Sequence, residues 1–453
     1  MVTHTECSND TPTWHVIAQV GSDNAFFPDI HESDPRLVVS VAKAGDRANV
    51  ANNMLEVLQR ATGRTPDPHI FDLLRLAAAV FAADLRIPRK LTRDRWRRRI
   101  HLYFPAFRSD LFSPAVPHLN QMLEFLTGDE WSLEIRPASA VTWPEPPRGS
   151  PESPPDVQAV TLFSGGLDSL IGTIDLLHSS QRIAVVGHHG KGFTNAIQEQ
   201  VLSALQRVFP DRITDLLFYV QPPKHKMDGE QTMRSRSFLF LSLGTAACNC
   251  LGWDGPLTVP ENGFISLNVP LTKTRLGSWS TRTTHPYFLA QFNQLLDLLS
   301  VPTRVHNPYH FLTKGQMLTN CRNPSVLATT TPLTMSCSHP EIGRYQRLTP
   351  GNHCGYCYPC LIRRAAVNAA GLKDAQYDHD VIAKQPSPES STGSDFRALQ
   401  MAMTRFAGEA DSMRALQAVA TGPLPSDDVM KYAGVYASGM AELTNLYRPS
   451  FAP

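Results

Sequence analysis

The sequence contains no uninterrupted apolar run of about 18 residues, the length a membrane-spanning helix needs, so no membrane span is expected. Its N-terminus lacks the basic stretch, apolar core and small-residue cleavage site of a secretory signal. An excess of charge of one sign is also missing: 42 Lys and Arg against 41 Asp and Glu leave a net charge of +1. Direct nucleic-acid binding is therefore not indicated. Only Arg93, Arg95, Arg97, Arg98 and Arg99 concentrate basic charge, reading either as a contact for phosphates or an acidic partner, or as a solvated face. Cysteine is scarce, eight in 453 residues, and four of the eight crowd between Cys337 and Cys360. That distribution suits metal ligation in a reducing compartment better than a disulfide framework, and a cytoplasmic location is expected.

What is present divides the chain into three. At this length a main domain with smaller attachments is expected. Residues 1–150 alternate β-like runs, Arg36 to Ala42 and Arg98 to Phe104, with helical stretches at Asn52 to Arg60 and Ile70 to Leu85. They carry no chemical motif and read as an accessory α+β domain. Trp143 to Pro155, dense in Pro, Ser and Glu, reads as a linker. From residue 156 to about 375 the order is strand Ala159 to Phe163, helix Leu167 to Leu177, strand Ile183 to Gly187, which indicates an α/β domain on a parallel sheet. Asp378 to Asp395, with Pro386, Ser387, Pro388, Ser390, Ser391 and Gly393, reads as a second linker. It precedes a helical C-terminal extension over 394–453, with helices at Phe396 to Phe406, Met413 to Val419 and Asp427 to Leu446.

The segment Ser164-Gly165-Gly166-Leu167-Asp168-Ser169 sits between the first strand, ending at Phe163, and its helix. Paired glycines let the backbone turn tightly, and a helix N-terminus presents unpaired N–H donors with a partial positive charge. Hydroxyls of Ser164 and Ser169 add donors, making a nest suited to a pyrophosphate. A carboxylate at Asp168 fits such a site when magnesium takes carboxylate and phosphate oxygens together. The Lys of a Walker A loop is absent. His188 and His189 follow the second strand, at the carboxyl edge where open α/β sheets bind ligands; a surface-loop role is the alternative.

Cys354, Cys357 and Cys360 form a Cys-x2-Cys-x2-Cys run, and sixteen residues separate Cys337 from the first. Four thiolates so spaced match a tetrahedral structural zinc site, with an iron–sulfur cluster as the alternative. Such a closed site leaves no position for water, so the metal holds structure together.

Together these motifs resemble the PP-loop ATP pyrophosphatases, and within them the 7-cyano-7-deazaguanine synthases, the QueC-like family. The resemblance rests on Ser-Gly-Gly-Leu-Asp-Ser at 164–169, Thr334-Met335-Ser336-Cys337, and Cys354-Gly355-Tyr356-Cys357-Tyr358-Pro359-Cys360-Leu361-Ile362-Arg363. It extends to Lys314 and to Ser235-Arg236-Ser237 at the start of the apolar helix Phe238 to Cys250, and covers roughly 160–372. It implies a Rossmann-like core of the adenine nucleotide alpha hydrolase type, ATP and Mg2+ as cofactors beside Zn2+, and a deazapurine carboxylate as substrate. Phe163 to Ser169 and His188 would bind ATP, Asp168 would hold magnesium, and Arg236 and Lys314 would contact the nucleotide or carboxylate, with surface salt bridges as the alternative for these two. Glu261, Asn262 and Asn268 can read base edges, although turn chemistry explains the Asn262-Gly263 pair equally well. The stretch Pro260 to Asn268 departs from the biosynthetic enzymes, and the additions on both sides resemble long QueC-like components of bacterial anti-phage operons, the Qat type among them. That implies a protein partner from the same operon. A nucleotide-binding scaffold and a tRNA-modifying enzyme are the alternatives in function.

Overall fold

The computed structural model describes residues 12–19, 26–32, 34–41, 49–138, 143–190, 192–222, 230, 232–271, 282–339, 351–387 and 390–448. Ala42 and Pro388, named above at the end of a strand and in the second linker, lie outside them.

Two sheets organise the chain. The first, in the order β2-β1-β4-β5, is built from Thr13–Gln19 (β1), Arg36–Ser40 (β2), Arg99–Ala106 (β4) and Glu130–Pro137 (β5), and every neighbouring pair is parallel. Sequence reading expected α+β here; a parallel sheet with helices Pro68–Arg86 (α2) and Ser109–Thr127 (α3) between its strands is α/β. In β5 the alternation of Trp131 and Leu133, buried, with Ser132 and Glu134 aims one face at the helices.

The second sheet runs β10-β9-β6-β7-β8-β3. Its parallel strands are Val160–Leu162 (β6), Ile183–His189 (β7), Ile213–Gln221 (β8), Leu257–Thr258 (β9) and Val305–His306 (β10). β6 is buried at every position and β7 at all but the last, as expected of central parallel strands covered on both faces. The edge strand β3 (Ala51–Asn52) comes from the N-terminal region and pairs antiparallel with β8. One apolar core runs through both sheets, from Val16, Leu74 and Phe104 to Leu162, Phe238 and Val305.

Helices Met54–Thr62 (α1), Leu167–Ser179 (α4), Thr194–Val208 (α5), Arg236–Leu251 (α6), Gly263–Leu267 (α7), Pro286–Leu298 (α8), Lys314–Thr319 (α9), Pro324–Thr330 (α10) and Tyr358–Ala369 (α11) complete this part. The C-terminal helices are Ser394–Phe406 (α12), Asp411–Val419 (α13) and Val429–Tyr447 (α14). Among the described residues no helix is long and apolar enough to cross a membrane.

The proline-rich segment after residue 142 is anchored at its start, while residues 145–149 and 151–153 are exposed. Trp143 stands edge-on to Phe71 and Phe107 at 5.7 and 5.4 Å, and the Pro144 carbonyl accepts from the Thr65 hydroxyl at 2.7 Å. The second proline-rich segment packs beside α11: Asp395 accepts from the Tyr358 amide at 2.9 Å, and Val381 is buried.

Candidate active site and metal centre

At the carboxyl end of β6 the chain turns through Ser164, Gly165 and Gly166 into α4. Phe163 still pairs with β7, its amide donating to the Val186 carbonyl at 2.7 Å, and its ring is fully buried and closed to a ligand. Gly165 adopts φ +80°, and a Cβ there would stand 3.2 Å from Gln198 Cγ, which is why glycine serves at this turn. Ser164 is exposed, while Ser169 is buried and donates to the Gly166 carbonyl at 2.9 Å. The Gly166 amide points to Ser164 Oγ at 3.2 Å and the Leu167 amide to Ser336 Oγ at 3.3 Å. These two long hydrogen bonds to hydroxyls are ones that an anion can displace.

Asp168, on the first turn of α4, is buried and meets groups from distant segments. Lys314 Nζ donates to its Oδ1, and Asn262 Nδ2 donates to Oδ2 at 2.7 Å. Burial works against the charge, yet Lys314, Glu261 and Asn262 prevail and hold the carboxyl down to about 2. Burial and the Asp168 charge push Glu261 well above the usual carboxyl range, and its side chain is hydrogen-bonded to Asp168. Glu261 and Asn262, expected either to read base edges or to serve a turn, both meet Asp168 here. Asn262 uses Oδ1 to cap α7 through the Ile265 amide at 2.9 Å and Nδ2 on Asp168, so both ends of its amide are engaged. Asn268 closes α7 in the left-handed region at φ 46°.

Two other expected residues form a separate pair. Arg236 opens α6 and donates to His188 Nδ1 at 3.3 Å and to the His188 carbonyl at 3.1 Å; among the described residues it makes no ion pair with Asp168 or Glu261. His188 is 2% exposed, with Nε2 on the Val220 carbonyl at 3.3 Å and its ring against Phe81 of α2. Burial and then Arg236 push its pKa down to about 3. With both ring nitrogens engaged, His188 has none to offer a nucleotide and instead pins β7 to the N-terminal region.

The Arg-rich run divides likewise. Arg97 makes an exposed pair with Glu124, whereas Arg98 is fully buried, with Nη2 at 2.6 Å from both Asp84 and Asp129. Asp84 also accepts from Ser235, amide and hydroxyl, at 2.9 and 2.8 Å, fixing the start of α6.

Cys337, Cys354, Cys357 and Cys360 bring their sulfurs within 4.8 Å of one another. Cys337 to Cys357 is 3.8 Å and Cys354 to Cys360 is 3.9 Å. A disulfide needs about 2.0 Å, whereas the edge of a zinc–thiolate tetrahedron with 2.3 Å bonds is about 3.8 Å. The donor set therefore fits a metal ion such as zinc.

Metal centre and glycine turn are continuous. Met335 donates to Gly165 and Ser336 accepts from Leu167, two residues and one residue before Cys337. Arg363 on α11, fully buried, holds the segment ahead of Cys337 from behind. It donates to the Thr334 carbonyl and hydroxyl at 3.1 and 2.7 Å, to the Thr331 carbonyl at 2.9 Å, and to Asp374 at 2.8 Å. Sequence reading gave no role to Ser336 or Arg363, although both belong to the quoted motifs, and passed over Gln198. That glutamine is fully buried, donates to the Phe163 carbonyl at 3.0 Å and leaves Oε1 without a partner among the described residues.

No family model matches this chain, and no curated protein matches it either.

Proposed function

We propose that the protein is a PP-loop ATP pyrophosphatase that adenylates a carboxylate of the 7-carboxy-7-deazaguanine kind. The observation that carries this reading is the glycine turn between β6 and α4, at the carboxyl edge of a parallel sheet, braced by the segment that leads into the metal cysteines. An anion at this turn would meet the Gly166 and Leu167 amides and the Ser164 hydroxyl in place of their present partners.

In the proposed reaction a substrate carboxylate oxygen attacks the α phosphorus of ATP. The bond from the α phosphorus to the bridging oxygen breaks, and pyrophosphate leaves with the electron pair. An amine then attacks the acyl carbon, loses a proton, and displaces AMP to give an amide. The chain's own groups bind and orient: the turn takes the pyrophosphate, and Lys314 offsets negative charge beside Asp168. Asp168 is the residue that would hold magnesium, which supplies charge neutralisation at the phosphates. The amine is ammonia or the N-terminus of an operon partner, and the setting is bacterial anti-phage defence.

The test is pyrophosphate release with ATP, magnesium and candidate carboxylates, with products weighed by mass spectrometry. Activity in the wild type and none in a folded Asp168→Ala variant is expected. Unchanged masses in every mixture would remove the reading. The engagement of Asp168 by Lys314, Asn262 and Glu261 favours a second one, a scaffold that keeps the nucleotide as a structural ligand. In that case ATP binds and raises the melting temperature, but no pyrophosphate is released.

A further inference from the structure

The C-terminal extension carries no catalytic motif, yet its last helix lies behind the segments that supply Glu261, Lys314 and the metal cysteines. Against α7, just after Glu261, α14 packs Gly439 so closely that a Cβ would stand 2.4 Å from the Phe264 ring. On α11, Tyr447 donates to the Leu361 carbonyl at 3.0 Å. At the start of α9, Glu442 accepts from the Thr313 hydroxyl and the Gly315 amide. Gly315 leaves the space that this carboxyl fills, since a Cβ there would lie 2.5 Å from Glu442 Oε1.

Lys314 is the residue between those two contacts. Thr313 caps α9 by accepting from the Gln316 amide at 3.1 Å, and Gln316 returns a bond to the Thr313 amide at 2.9 Å. A six-residue helix has few internal bonds with which to hold its own orientation. Glu442, from another helix, anchors it from outside.

We infer that Glu442 is a positioning residue: it fixes the first turn of α9 so that Lys314 stays on Asp168, making the C-terminal helix a working part of the nucleotide site. The catalytic side of this inference rests on the adenylation reading; the geometric side does not. Lys314 has Asp168 on one side and the Glu442 carboxyl held at its own helix start. Removing Glu442 therefore frees the backbone on both sides of Lys314 and loosens the hold that keeps its side chain on Asp168.

The experiment compares the full chain with Glu442→Gln, Glu442→Ala and Gly315→Ala in two assays. In the first, limited reductive methylation at neutral pH is followed by mass spectrometry of the peptide containing Lys314, with exposed Lys384 as internal reference. Lys314 is expected to react severalfold faster in Glu442→Ala, because a loosened α9 lets its side chain leave Asp168 and meet the reagent. Gly315→Ala, which evicts the carboxyl without removing it, should move in the same direction, and the isosteric Glu442→Gln should fall between. In the second, pyrophosphate turnover should drop about tenfold or more with little change in the KM for ATP, because the glycine turn is untouched. Equal labelling of Lys314 in all four proteins overturns the inference, as does a rise that Lys384 shares. If the wild type releases no pyrophosphate from any carboxylate while Lys314 labelling still responds, the adenylation reading fails and the positioning of Lys314 stands.

Discussion

The backbone amide of Met335 donates to the carbonyl oxygen of Gly165 at 3.0 Å, joining the segment that enters the metal cluster to the turn that opens α4. Through this bond and the neighbouring one from Leu167 to Ser336, the conformation of the turn depends on where Cys337 is held. A metal at the four cysteines would therefore order the turn as well as the cysteine loop.

Purified protein should contain about one zinc ion per chain, and Cys357→Ser should lose it. Removing the metal from the wild type is expected to lower the melting temperature by about 10 °C or more, since binding energy at such sites is folding energy. Nucleotide affinity should fall alongside it. Metal analysis, calorimetry and equilibrium dialysis check each part; an unchanged ATP affinity in the metal-free, folded protein would break the link between the two sites.

Arg363 reaches Asp374 and three oxygens of the Thr331–Thr334 segment from a fully buried position. Truncation to Ala leaves Asp374 without its guanidinium and should cost about 3–5 kcal/mol in urea unfolding. Arg363→Lys should recover little, because an ammonium cannot supply the planar fork that spans these acceptors. Recovery to within 1 kcal/mol, about a fivefold change in the folding constant, would show that charge alone matters there.

The sheet around the glycine turn was legible because buried parallel strands read as short apolar runs, and the cysteines because metal spacing is local in sequence. The reach of Glu261 was not: it meets Asp168 only after a crossover places residues 168 and 261 side by side, and no local pattern encodes that. Arg98 was hidden in a run of arginines whose neighbours are exposed, since burial depends on Asp84 and Asp129, which lie 14 and 31 residues away. His188 at a strand's carboxyl edge looked available for a ligand, but Phe81 and Arg236 cover it. The linker was read from its composition, which does not register that Trp143 anchors it.

Burial and a neighbouring arginine push two histidines down to about 3: His188 beside Arg236, and His285 beside Arg282. Both are neutral in the fold, while in the unfolded chain they take up protons below about pH 6.5. Their contribution is complete above that value and is lost as the pH falls towards 3, by about 2 kcal/mol for each at pH 5. In urea unfolding, His188→Gln should be less stable than the wild type at pH 7.5 but should lose about 2 kcal/mol less between pH 7.5 and pH 5. Parallel losses in the two proteins would mean that His188 does not set the acid sensitivity.

The residues before 151 are expected to be required for folding of the rest. Leu73, Leu76, Ala77 and Ala83 of α2 belong to the same buried cluster as Phe238, Leu239, Ala246 and Cys248 of α6, and β3 completes the edge of the second sheet. A chain starting at residue 151 exposes the α2-facing side of α6 to water. It also leaves Ser235 without Asp84 at the helix start. An uncovered apolar face of this kind drives association, and an open strand edge beside β8 adds a template for it. The fragment should therefore collect in the insoluble fraction, or bind a hydrophobic dye and melt without a cooperative transition, and co-expression with residues 1–150 should return it to solution as a complex. A soluble, cooperatively melting 151–453 fragment would mean that the shared core contributes far less than its burial implies.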